Sequence, residues 1–98
     1  MIAFFRMGSP LPGKRKAAGK YVKNVARYIK KKHGVECGAA IQVGGPSGRV
    51  GIRATFDNMT ALEAWIEKAR SDDAYMKLTE SAAGVMAPDS MDAVWKTI

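Results

Sequence analysis

The chain has 98 residues, 47% of them hydrophobic and 26% charged, with a net charge of +7. That length suits a single domain over 1–98 with one modest core, and the composition excludes a disordered chain. No apolar run reaches the ~20 residues of a membrane helix, Ile2–Phe5 is too short for a signal-peptide core, and the lone Cys37 excludes an intrachain disulfide or a Cys-rich zinc site. A cytoplasmic protein without membrane association is the default.

Residues 2–7, rich in bulky side chains, predict a first strand that Pro10 and Pro12 end. Residues 15–32 predict a helix. With Val22 at zero on a helical wheel, Ala18, Val25, Ala26 and Ile29 fall within about 60° of it. Tyr21 and Tyr28 stand at one margin. Lys16, Lys20, Lys23, Arg27, Lys30 and Lys31 fill an arc of about 100° on the other side. Gly34 suits a left-handed C-terminal cap. Residues 1–35 carry ten Lys or Arg and no acid; residues 36–98 carry six against nine acids, so +10 and −3 make the net +7. Such asymmetry raises nucleic acid, anionic ligands or an acidic partner.

Residues 35–43 alternate, with Val35, Cys37, Ala39, Ile41 and Val43 on one face. Residues 49–56 alternate again, with Val50, Ile52, Ala54 and Phe56 on the core side. The Gly-rich loop 44–48 joins them as an antiparallel hairpin. It lacks the spacing and the following helix of a phosphate loop. Asp57 or Asn58 can cap the next helix, and Thr60 with Glu63 offers a capping box. Leu62, Trp65, Ile66 and Ala69 form its apolar stripe. Ser71-Asp72-Asp73 marks a break and a fresh helix start. Residues 73–83 continue helically, Gly84 stops them, and 91–98 predict a last strand.

The order β-α-β-β-α-β is that of the ferredoxin-like α+β sandwich, two helices on one face of a four-stranded antiparallel sheet. The other face would carry Glu36, Gly38, Ala40, Gln42, Gly51, Arg53 and Thr55. An open, half-apolar sheet face marks an interface.

The segments Leu11-Pro12-Gly13-Lys14, Gln42 to Val50, Phe56 to Trp65, Asp72-Asp73-Ala74-Tyr75 and Ala87-Pro88-Asp89-Ser90 before Val94-Trp95 carry a resemblance. In order and spacing the whole chain resembles the dimeric α+β barrel superfamily. Within it, small stand-alone NIPSNAP-like and antibiotic-biosynthesis-monooxygenase-like proteins are the most similar groups. The resemblance implies a homodimer whose two sheets face each other and close a barrel. It also implies a pocket between sheet and helices or inside the barrel. Members include cofactor-free oxygenases, haem-binding proteins, isomerases and dehalogenating enzymes. The shared motifs are turns and element starts, so they specify fold rather than chemistry.

Among single residues, His33 could be a ligand or general base, but its place in the last helical turn already complements the helix dipole. Cys37 alternates with apolar residues and reads as a buried small hydrophobe. Arg53 and Gln42 lie on the uncovered faces of the hairpin strands and, with Arg6, could orient an anionic or carbonyl ligand. Alternatively, Arg53 is a rim residue or pairs with Glu36 or Asp57 across the dimer. Tyr21 and Trp95 could supply pocket walls. The expected function is small-molecule binding, extending to a cofactor-free enzyme. The alternatives are a nucleic-acid-associated protein using Lys16, Lys20, Lys23, Arg27, Lys30 and Lys31, or a dimeric interaction module with no ligand. No cofactor or metal is called for by any motif.

Overall fold

In the computed structural model, which describes residues 1–45 and 48–98, four strands form one antiparallel sheet in the order β2-β3-β1-β4. The strands are β1 (Ile2–Gly8), β2 (Glu36–Ile41), β3 (Val50–Phe56) and β4 (Met91–Lys96). Helices α1 (Arg15–Tyr28), α2 (Met59–Arg70) and α3 (Asp73–Glu80) accompany them, and a 3₁₀ turn spans Ser81–Gly84. The α+β class, the element order and the all-antiparallel sheet are those of a ferredoxin-like fold. The second helical unit is split in two. The central positions Pro46 and Ser47 of the hairpin loop lie outside the described residues.

Local chemistry sets most boundaries. Asn58 caps α2, its side chain accepting from the Ala61 amide at 2.9 Å. The Thr60–Glu63 capping box is not needed. Asp72 caps α3 in the same way, accepting from the Tyr75 amide at 3.1 Å. The expected helix 15–32 is shorter than its periodicity indicates. Its α geometry ends at Tyr28, and Ile29–His33 form a π-helical turn closed by Gly34 at φ 67°. Glycine reaches that left-handed conformation without a Cβ penalty.

Strand register decides the faces. Ile2, Phe4, Arg6 and Gly8 stand opposite Phe56, Ala54, Ile52 and Val50. These face the helices, since directly opposed residues share a sheet face. Around them Ile29, Leu62, Trp65, Ala69 and Tyr75 complete the core. Phe4 sits edge-on to Trp65, with ring centroids 5.9 Å apart.

Two expectations about strand ends are corrected. Strand β2 stops at Ile41, and Ile41 and Val43 are 60% and 86% exposed. Their parity matches the core face, but that end of the edge strand is left uncovered. Strand β4 stops at Lys96, with Ile98 beyond it and exposed. Among the described residues, no helix is long and apolar enough to cross a membrane.

Candidate functional site

The apolar row of β1 on the helix side runs Ile2, Phe4 and then breaks at Arg6. That break lies beside a cavity of about 660 Å³ between the sheet and the helices. Small residues open it. Gly8, Ala69, Ala82, Ala83 and Ala87 line it where larger side chains would fill the space. Val22, Val25, Ile52, Ile66 and Met86 supply apolar wall. The segment after α3 closes the rim by pairing with the end of β1. The Leu11 amide donates to the Val85 carbonyl, the Ala87 amide to the Ser9 carbonyl, and the Ser9 hydroxyl to Asp89 Oδ2 at 2.6 Å.

The polar lining is sparse and cationic or phenolic: Arg6, Arg70, Tyr21 and Tyr75, with Thr79 and Ser90. Asp92, opposite Arg6 on β4, holds the guanidinium in a bidentate grip. Nε donates to Oδ1 at 2.8 Å and one terminal nitrogen donates to Oδ2 at 2.9 Å. This fork leaves three of the five guanidinium N–H groups for other acceptors. The Asp92 hydrogen bond outweighs partial burial and raises the Arg6 pKa, so the group stays charged. Its Cζ lies 5.3 Å from the Phe4 ring centroid.

Burial pushes the phenols of Tyr21 and Tyr75 upward, so both are neutral O–H donors. Tyr21 reaches the Thr79 carbonyl only at 3.5 Å, a weak bond that a better acceptor could displace. Among the described residues, no histidine, cysteine, aspartate or glutamate lines the cavity. An apolar chamber with one fixed guanidinium and two phenol donors can bind and polarise an oxygen-bearing molecule.

Behind the cavity wall lies a hydrogen-bonded chain that the residue-by-residue reading missed. Trp65 Nε1 donates to His33 Nδ1 at 3.0 Å, and His33 Nε2 meets Asp72 Oδ2 at 2.8 Å. The Tyr28 hydroxyl donates to the same oxygen at 2.8 Å. With Nδ1 occupied as an acceptor, Nε2 carries the proton and donates to Asp72. The imidazole is 2% exposed and packs on Tyr75, with ring centroids 5.6 Å apart. His33 therefore holds Trp65 and Tyr75, two residues of the cavity wall, rather than lining the cavity itself. Its structural role goes beyond complementing a helix dipole. The indole of Trp65, an apolar-stripe residue carrying a donor that must be satisfied when buried, was the available signal.

The expected ligand residues separate. Arg6 and Tyr21 meet at the cavity. Arg53 and Trp95 are on the opposite face of the sheet, with Trp95 68% exposed. Gln42 lies beyond β2 in the hairpin loop, its amide bonded to the Arg49 carbonyl at 2.8 Å. Cys37 is buried, and desolvation pushes its thiol up to about 11, which leaves it unreactive near neutral pH. Lys16, Lys20, Lys23, Arg27, Lys30 and Lys31 are exposed, away from the cavity.

No family model matches the chain, and no curated protein is similar to it in sequence. Solved structures are similar in fold. An uncharacterized NIPSNAP domain protein from Burkholderia xenovorans superposes with a TM-score of 0.80 at 15% identity, covering 100% of this chain and 95% of that one. A candidate antibiotic biosynthesis monooxygenase from Deinococcus radiodurans gives 0.70 at 11%, covering 100% and 93%. A dimeric protein of unknown function and ferredoxin-like fold from Bacteroides fragilis gives 0.70 at 7%, covering 98% and 95%. The chain has their ferredoxin-like fold. The superfamily resemblance read from turns and element starts is thus borne out at the level of fold.

Proposed function

We propose that this protein is a homodimer that binds a small, mostly apolar molecule bearing a carboxylate, phenolate or carbonyl oxygen. The cavity between sheet and helices is the binding site. Arg6 carries the reading: a guanidinium held by Asp92 where the apolar row of β1 breaks beside the cavity, with donors to spare. Tyr21 and Tyr75 would complete the oxygen site. The same donors would stabilise a developing oxyanion, so the site suits a cofactor-free reaction on such a molecule.

Arg53 and Trp95 belong to the other face, which we assign to the partner protomer. Phe5, Met7, Met91, Ala93 and Trp95 share that face through the β1–β4 register. Exposed apolar surface of this kind is what an interface covers. The similarity in fold to a structure described as dimeric supports the assignment.

Binding of 2-naphthoate and of its neutral methyl ester tests the oxygen site. The carboxylate is expected to bind at least about tenfold more tightly, the worth of a hydrogen bond to a charged group. The Arg6→Gln, Asp92→Asn double variant, which leaves no lone carboxylate behind, should erase the preference. Equal affinity of acid and ester for the unmutated protein would remove Arg6 from the site.

A further inference from the structure

The outer face of α1 has no part in the cavity, the core or the open sheet face. Lys16, Lys20, Lys23 and Arg27 stand at i, i+4, i+7 and i+11, a straight row about 16 Å long. Lys30 and Lys31 extend it into the π-helical turn, and all six are exposed. The row is nearly free of counter-charge. Among the described residues only Lys30 has an acidic partner, Glu36 at 3.9 Å, and Arg27 donates to the neutral Asn24. Six like charges on one helix repel one another, so the face costs stability unless an anion meets it.

From this we infer that the α1 face is a docking surface for the phosphate backbone of a nucleic-acid duplex. The charge is complementary, and the row sets four cations within about 16 Å of one another along a straight edge that a phosphate backbone can meet. Two observations choose the duplex over other polyanions. A membrane-surface helix needs apolar anchors beside its cations, yet none of the exposed large hydrophobic residues lies on α1 or the π turn. Single-stranded binding needs aromatic platforms beside the cations. Here Tyr28 is committed to Asp72 and Tyr21 turns toward Thr79, both away from the row. Contacts to phosphates alone carry no base information, so binding is independent of sequence.

The test is fluorescence anisotropy with a labelled 20-base-pair DNA duplex across 50 to 200 mM salt. With about six phosphate contacts, affinity should fall about 10³-fold over that range. The variant Lys20→Gln, Lys23→Gln, Arg27→Gln should bind more weakly at 50 mM and lose only about 40-fold over the same range. Removing the same charge elsewhere, Lys68→Gln, Lys77→Gln, Lys96→Gln, should leave most of the affinity and the slope. All substituted side chains are exposed, and an unchanged circular dichroism spectrum checks that each variant is folded. The inference is overturned by no duplex binding at 50 mM, or by equal losses in the two variants. It is equally overturned by tighter binding to a single strand, or to phosphatidylserine vesicles, than to the duplex.

Discussion

Asp72 uses one carboxylate for three partners. Oδ1 accepts the Tyr75 amide at the start of α3, and Oδ2 accepts Tyr28 from the end of α1 and His33 from the end of the π-helical turn. The His33 bond, then the amide, then the phenol hold its pKa at about 2, below the usual carboxylate value of 3.8. A depressed folded-state pKa contributes stability above the unfolded value and loses it as pH falls toward the folded one. The protein should therefore weaken between about pH 4 and pH 2. Asp72→Asn should be less stable near neutrality and show a flatter loss through that window, measured as denaturant midpoints against pH. An unchanged acid limb would show that Asp72 is not the group involved. The helix start at Asp72 is readable from an acid before a helical run. Its partners, 39 and 44 residues away, are not, because nothing in local spacing says which distant side chain a cap will also meet.

At the scale of elements, the pairing of β1 with β3 leaves no room for a side chain at Gly51. A Cβ there would overlap the Arg6 carbonyl oxygen and come within 2.8 Å of Met7 Cα. Backbone cannot swing away as a flexible side chain can. Gly51→Ala should cost about 3 kcal/mol, at the upper end of overpacking, and lower the denaturant midpoint. It should also disturb the cavity, because Gly51 and Arg6 both line it. A midpoint equal to the unmutated protein's would mean the strands separate at no cost. In the sequence Gly51 is one alternating position among several, and only the pairing with Met7 reveals the demand for glycine. The π-helical turn is a similar case. Helical periodicity through residue 32 gave no sign of it. Ile29 and His33, four residues apart, both reach the interior, as they would in an α-helix, so their spacing does not distinguish the two.

For the whole molecule, the proposed dimer rests on the open sheet face. Trp95, 68% exposed on β4, is the bulkiest group there. Sedimentation at micromolar concentration should give twice the chain mass. Trp95→Asp should give the monomer with its fold intact, since the residue contributes little to the core. A monomeric unmutated protein would leave this face without its proposed cover. The element order, the hairpin, the helix caps and the basic outer face of α1 follow from the sequence alone. Each depends on alternation, helical spacing or capping among residues close along the chain. The tertiary structure alone decided that Arg6 faces the helices while Arg53 and Trp95 face away. It alone gathered Trp65, His33, Asp72 and Tyr28, and left a cavity where small residues of β1, α2, the 3₁₀ turn and the segment after it meet. Those outcomes depend on strand register and on packing between distant segments, and no local pattern encodes them.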